Sequence, residues 1–272
     1  MRVRVAAQTD VGRRRANNED THCVDEVLGL FLVADGLGGH ASGEVASRLA
    51  AETIHDKLAA WAKGGELPPA LGPPIAGAPE AATHLANSIR FANKVIYGAA
   101  GSRPEYRGMA TTVVAALLAE GRVILAHVGD SRIYRVRDRK LEQLSRDHSL
   151  VGEQVALGLI SPDQAVVSPQ RNVVTRAVGM EPTVAVDVQD EAIQEGDALL
   201  LCSDGLSDMV DEPIILETVI QAGDDLDQAC EALVELANAR GGRDNITAVL
   251  IRFSEVDGEA RAGFWRRLLG GG

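Results

Sequence analysis

The chain has 272 residues, 46% of them hydrophobic, and carries 39 acidic against 27 basic side chains for a formal net charge of -12. That length suits one large α/β or α+β domain better than two small ones, and the negative charge disfavours nucleic-acid partners by repelling their phosphates. Three cysteines, Cys23, Cys202 and Cys230, are too widely spaced for a disulfide framework or a zinc site and fit a reducing cytoplasm. No apolar run approaches the roughly 18–20 residues of a membrane helix, and the opening MRVRVAAQTD lacks the apolar stretch of a signal peptide. A soluble, cytoplasmic protein with no membrane span is expected.

In chain order, residues 2–8 read as a strand that ends at Thr9-Asp10-Val11-Gly12, ahead of the basic run Arg13-Arg14-Arg15. Residues 21–25 and 28–34 read as a hairpin turning near Glu26-Val27. Its second strand, Phe31-Leu32-Val33-Ala34, delivers Asp35 to a turn containing Gly36, Gly38 and Gly39. Ser42 is an N-cap candidate for a long helix with Val45, Leu49, Ile54, Leu58 and Trp61 at near-helical spacing. Residues 63–79, with five prolines, form a surface loop. A second helix with Leu85, Ile89, Ala92 and Ile96 on one face is expected to end near Gly98, followed by a polar connection over 101–108. Residues 110–118, 122–128, 132–136 and 140–144 suggest an antiparallel meander.

Residues 147–179 leave the strand pattern as an excursion, with Ser149 and Ser161 opening two short helices. Strands are expected again at 183–188 and 197–202. Leu226, Ala229, Cys230, Leu233, Val234 and Ala237 make the clearest helical stripe, and a last strand covers 246–253. Residues 254–272 read as a flexible tail, with 264–269 as a docking peptide at most.

Three places repeat one design, an apolar strand or turn followed by Asp beside Gly or Asn: Asp35-Gly36, Asp204-Gly205 and Asp244-Asn245. Gly129-Asp130-Ser131 and Glu19-Asp20 add two more acidic sites. A single Asp-Gly is ordinarily a turn. Several Asp at strand ends can instead converge on hard cations such as Mg(II) and Mn(II), and two such ions about 3.5–4 Å apart can clamp a phosphoryl group. The residues alone leave both readings open.

Wording and order narrow the choice. Arg15-Ala16-Asn17-Asn18-Glu19-Asp20, Val33-Ala34-Asp35-Gly36-Leu37-Gly38-Gly39, Gly108-Met109-Ala110-Thr111-Thr112, Val128-Gly129-Asp130-Ser131-Arg132, Asp147-His148-Ser149-Leu150, Leu201-Cys202-Ser203-Asp204-Gly205-Leu206 and Arg243-Asp244-Asn245-Ile246-Thr247 together resemble the metal-dependent PPM (type 2C) serine/threonine protein phosphatases, in their bacterial branch. The likeness spans about residues 3–253. It implies an α+β fold, a four-layer α-β-β-α sandwich with two central, mainly antiparallel sheets, in one domain over 1–253 with a flap at 147–179.

The resemblance also implies two to three Mn(II) or Mg(II) ions. Asp35 would bridge two of them, the Gly36 carbonyl would bind one, and Asp204 and Asp244 would complete the pair. Asp20 would act through waters, Asp130 would join Asp204 at a third ion, and Glu19 and Asn245 would support the ligands from behind. Arg15 fits the phosphate-binding arginine, since its guanidinium offers a fork of donors to phosphate oxygens. A metal-bridging water or hydroxide would attack phosphorus directly, so no cysteine need be a nucleophile, and Cys202 and Cys230 are expected in the core. The implied substrates are phosphoserine and phosphothreonine in proteins, and the implied partner is a serine/threonine kinase whose work the enzyme opposes.

One position departs from the family. Leu37 stands where eukaryotic members often place a histidine, which leaves the proton donor open, and His40 and His148 are read as local structural residues. Arg13 and Arg14 are expected in solvent. Arg171 and Arg176 of the flap could meet phosphopeptide or merely solvate a loop. Two rivals stand beside an active protein phosphatase: a pseudophosphatase that binds phosphoprotein without turnover, and a hydrolase of a small phosphoester.

Overall fold

Strands whose residues are buried on both faces force this chain into layers. The computed structural model describes residues 2–38, 42–65, 70–119 and 121–255. Gly39, His40, residues 66–69 of the proline-rich loop and residues 256–272 of the tail, with its 264–269 segment, lie outside the described residues.

Strands β1 (Arg2–Asp10), β2 (Asp20–Asp25) and β3 (Leu30–Leu37) precede helices α1 (Ser42–Ala62) and α2 (Glu80–Ser102). A 3-10 turn (Pro104–Tyr106) leads into β4 (Ala110–Thr111), β5 (Val113–Ala119), β6 (Arg122–Val128), β7 (Arg132–Arg137) and β8 (Lys140–Gln143). Two short helices follow, α3 (Leu150–Ala156) and α4 (Pro162–Val166). The chain then runs through β9 (Asp187–Glu191), β10 (Ala198–Cys202), α5 (Asp204–Ser207), α6 (Glu212–Ala222), α7 (Leu226–Ala239) and β11 (Ile246–Glu255). One sheet has the order β1-β11-β10-β7-β8 and the other β2-β3-β5-β6-β9, with β4 beside β3; all these pairings are antiparallel.

Alternation along β3 shows how the layers form. Leu30, Leu32 and Ala34 face the first helical layer with Ile54, Leu58, Leu85 and Ile89. Phe31 and Val33 point the other way, into the space between the sheets, and meet Leu199, Leu201, Val249 and Ile251. On the far side, Leu200, Ala248 and Leu250 join Ile215, Val219 and Leu233 of the second helical layer. Each of the larger buried side chains, Val, Leu, Ile or Phe, contributes about 1.5–3 kcal/mol. The result is the expected four-layer α-β-β-α sandwich. Cys202 and Cys230 lie in it fully buried, with thiols pushed up to about 12 by desolvation, so neither is a thiolate nucleophile.

Several boundaries differ from the sequence reading. Helix α2 runs past Gly98 to Ser102, because Ala99 and Ala100 still pack on the core and offset the roughly 1 kcal/mol cost of a helical glycine. The expected strand over 110–118 breaks at Thr112, whose hydroxyl is committed elsewhere. The expected meander is also not one sheet: β5 pairs with β6 and β7 with β8, but β6 and β7 lie in different sheets. Gly129 makes that crossover at φ +109, where a β-carbon would fall 2.6 Å from Thr112. The strand expected at 183–188 forms instead at Asp187–Glu191, since Val184 and Val186 pack against the first helical layer rather than join the ladder. Helix α6 was not anticipated.

Candidate active site

The acidic motifs converge where the ends of the two sheets meet. Asp20 and Asp35 sit directly opposite each other in the β2–β3 ladder. Directly paired residues have β-carbons about 5 Å apart, and two charges at that spacing repel by about 3 kcal/mol at an effective dielectric constant of 20. Asp130 occupies the β6–β7 crossover, Asp204 begins α5 at the end of β10, and Asp244 precedes β11. Burial first, and then the charges of Asp20, Asp204, Asp130 and Asp244, push the Asp35 carboxyl well above the usual carboxylate range. Burial, with Asp130 and Asp244 next, does the same to Asp204. Asp20 and Asp130 are pushed up to about 6, again mainly by burial.

Backbone and hydroxyl groups hold these carboxylates in place. Asp20 Oδ2 accepts from Ser203 Oγ (2.8 Å) and Thr247 Oγ1 (2.7 Å). The Asp35 amide donates to Thr112 Oγ1 (3.1 Å), and its carbonyl accepts from the Thr111 hydroxyl and the Thr112 amide (2.8 Å each). Gly36 donates to the Glu19 carbonyl (3.2 Å), and a β-carbon on Gly36 would lie 2.2 Å from the Gly43 carbonyl oxygen, so only glycine fits. Asn245 is the staple between chain ends. Its Oδ1 accepts from the Glu19 amide (2.8 Å), and its Nδ2 donates to the carbonyls of Val11 and Asn17 (2.9 Å each). Burial raises the Glu19 carboxyl. Arg15 Nη2 pairs with Asp244 Oδ2 at 2.6 Å, and both side chains remain partly open to solvent.

The arrangement fits divalent cations. Asp20 Oδ1 and Asp204 Oδ1 are buried without a hydrogen-bond partner, and of the five clustered carboxylates only Asp244 forms an ion pair among the described residues, with Arg15. Oxygen-only donors with uncompensated negative charge are the chemistry of hard ions such as Mg(II) and Mn(II).

The sequence reading missed Asp208. Its amide donates to the Asp204 carbonyl (2.8 Å), and its charge helps raise both Asp130 and Asp204. The signal was present in the four-residue spacing of Asp204 and Asp208, which places them on one side of a helical turn. Asp208 also faces the segment over residues 147–179, with Arg171 Nε 3.7 Å from its carboxylate. The hydroxyls of Thr112, Ser203 and Thr247 were likewise unremarked.

Residues 147–179 leave the sheets between β8 and β9 and are tied back at both ends. Arg132 forms a bidentate pair with Asp147 (Nη2 to Oδ2 2.7 Å), and Val178 bridges Thr111. His148 is more than local. Its amide donates to the Gly129 carbonyl (2.9 Å), and its Nδ1 accepts from the Gly129 amide (3.0 Å), beside Asp130. Nε2 lies 2.9 Å from Arg176 Nη1 and 3.3 Å from Asp187 Oδ2. His127, His148 and Asp187 bring three donor atoms within 4.8 Å of one another, a spacing that suggests a metal. The Arg176 guanidinium, which donates to Asp187 Oδ1 at 2.8 Å, already supplies a cation to this group and makes it an ion-pair network instead.

Burial, then the charges of Arg176 and His127, pull the His148 ring down to about 4. A folded value below the unfolded one, about 6.5, means the unfolded chain binds the proton more readily, so stability from the neutral ring is complete above about pH 6.5 and is lost as pH falls toward 4. In urea unfolding of the chelated protein, the advantage of the wild type over His148→Asn should shrink by on the order of 2 kcal/mol between pH 6.5 and 4.5. Subtracting the variant removes the opposing contribution of the carboxylates. A pH-independent difference would show that the ring titrates normally.

Two stacked antiparallel sheets between helical layers, with an oxygen-only cluster and an arginine at their joint, define a metal-dependent phosphoester hydrolase of the sandwich class. The sequence profile described as Protein phosphatase 2C matches residues 11–250. A serine/threonine phosphatase stp of Listeria monocytogenes is 40% identical over 247 residues, 90% of this chain and 93% of the relative. Protein phosphatase PhpP of Streptococcus pneumoniae is 34% identical over 260 residues, 94% of this chain and 100% of the relative. Among solved structures, the Mycobacterium tuberculosis serine/threonine phosphatase PstP/Ppp matches at a TM-score of 0.80 and 35% identity, covering 93% of this chain and 99% of that one. The PstP catalytic domain in complex with two manganese ions matches at 0.76 and 34% identity, with 93% and 99% covered. The chain belongs to the protein phosphatase 2C family, the metal-dependent serine/threonine protein phosphatases, in its bacterial branch.

Proposed function

We propose that Asp35, Asp204 and Asp244, with Asp20, Asp130 and the Gly36 carbonyl, hold two to three Mn(II) or Mg(II) ions at the catalytic centre, and that Arg15 binds the phosphate. The observation that carries this reading is the convergence of five aspartates from separate segments, two of them with buried, unpartnered oxygens. When bound, the cations supply an acidified water and neutralise the phosphoryl oxygens. The rest is done by the chain. Asn245 and Glu19 lock the N-terminal loop against the start of β11, so Arg15 and Asp244 face the same point. Ser203 and Thr247 fix the rotamer of Asp20, and Thr111 and Thr112 fix the backbone at Asp35. The guanidinium that pairs with Asp244 is a fork suited to two phosphate oxygens.

The physiological substrates are phosphoserine and phosphothreonine proteins of a serine/threonine kinase pathway in the cytoplasm, where free cysteines such as these persist. No described helix is long and apolar enough to cross a membrane. The complete acidic set favours turnover over a binding-only role. Arg15→Ala should lower kcat/KM on p-nitrophenyl phosphate and on a phosphothreonine peptide by about tenfold to a hundredfold, with Arg15→Lys recovering part of it. Turnover without divalent metal, or a panel of phosphorylated metabolites hydrolysed faster than every phosphopeptide, would sink this reading.

A further inference from the structure

We infer that the groove between the end of α2 and the exit of the flap binds the substrate polypeptide beside its phosphoresidue and selects acidic residues there through Arg103 and Arg107. The inference rests on the phosphoprotein reading above and names a specificity element for it. A groove of about 630 Å³ is lined by Leu37, Tyr97, Arg103, Arg107, Gly179 and Met180 among others. Leu37 lies two residues after Asp35 in β3, so it shares the face of Asp35 about 6.6 Å further along. Leu37 therefore places the groove beside the end of β3 that carries Asp35. Leu37, which holds the place of a possible proton donor, instead gives the groove an apolar side chain.

Its walls suit a peptide. Tyr97 and Met180, both 42% exposed, are among the large hydrophobic side chains left open to solvent, and both line it. The arginines that line it have no carboxylate partner among the described residues, in contrast to four arginines around the centre. Arg15 pairs with Asp244, Arg132 with Asp147, Arg171 with Asp208 and Arg176 with Asp187. Thus both flap arginines have partners in the protein. Arg103 lies over the Tyr106 ring, 5.5 Å from its centroid, and neither it nor Arg107 makes an ion pair among the described residues. Both are exposed.

Charge argues for the occupant. A phosphopeptide is negative and approaches a protein of net charge -12, so Arg103 and Arg107, which outnumber the one exposed carboxylate between them, Glu105, offset repulsion along the groove. An extended peptide advances about 3.3 Å per residue, so the step of about 6.6 Å from Asp35 to Leu37 corresponds to about two residues of flank.

The test compares matched phosphothreonine peptides carrying Glu, Gln or Lys two to four residues to either side, with p-nitrophenyl phosphate as the substrate that has no flank. Wild type should prefer Glu over Lys peptides about three- to tenfold in kcat/KM, mainly through KM, with the preference fading in high salt. The double variant Arg103→Ala/Arg107→Ala should lose the preference and keep aryl phosphate turnover within about twofold, and Arg107→Glu should invert it. No preference in the wild type, a preference that survives in the double variant, or equal loss on aryl phosphate would each overturn the inference. If aryl phosphate is hydrolysed while every peptide is inert, the phosphoprotein reading itself fails, a result distinct from a flank-blind phosphatase.

Discussion

Asp204→Asn should abolish metal-dependent phosphate release and yet make the metal-free chain harder to unfold. The two effects have one cause. Folding buries Asp204 against Asp130, Asp244, Asp208 and Asp20, and burial together with that crowd raises its carboxyl well above the usual range. A neutral amide of the same shape removes one charge from the crowd without opening a cavity, so the chelated variant should melt several degrees higher; about 1 kcal/mol moves a protein of this size by about 2–4 °C. The same exchange removes an anionic ligand oxygen, and turnover should fall about a thousandfold or more. Circular dichroism melts in chelator, paired with p-nitrophenyl phosphate assays in Mn(II), check both. A variant that melts lower in chelator and still turns over would show that Asp204 serves the fold alone.

The second large effect is the gain in stability on adding Mn(II) or Mg(II), and its dependence on pH. The raised folded values of Asp20 and Asp130, about 6, mean that the metal-free protein binds these protons more tightly than the unfolded chain. Their contribution is therefore present in full below about pH 4 and is lost as pH rises through about 6. Cations need the opposite protonation state, so protons and metal compete. At one hundred times the dissociation constant, bound metal should add about 2.7 kcal/mol at pH 7.5, or about 5–10 °C. At pH 5 the shift should be much smaller. Thermal melts and calorimetric titration at the two pH values measure this directly, and an equal shift at both would mean that the raised carboxylates are not the ligands.

Motifs and layers were legible to different depths. The aspartates could be picked out because each follows an apolar run, and a run that ends in Asp-Gly or Asp-Asn is a local pattern. The helical stripe from Leu226 to Ala237 was equally plain, since one face of α7 is buried along its length. The crossover at Gly129 was not legible, because neighbouring strands that switch sheets have the same local text as a hairpin. Asp208 was hidden for a related reason: its closeness to Asp130 depends on which strand ends share an edge. The flap arginines show the same limit. Sequence left Arg171 and Arg176 open between substrate and solvent, and folding gave each a carboxylate partner.

By itself, the sequence determined that this chain builds buried strands ending in carboxylates and that seven ordered motifs belong to one family of phosphatases. Only the tertiary structure decided which carboxylates share charge, which arginines remain free, and that Leu37 opens onto a groove. The physical reason is range. Periodicity and turn chemistry act over a few residues, whereas the electrostatics of this site depend on groups such as Asp20 and Asp244 that the chain separates widely and the stacked sheets bring together.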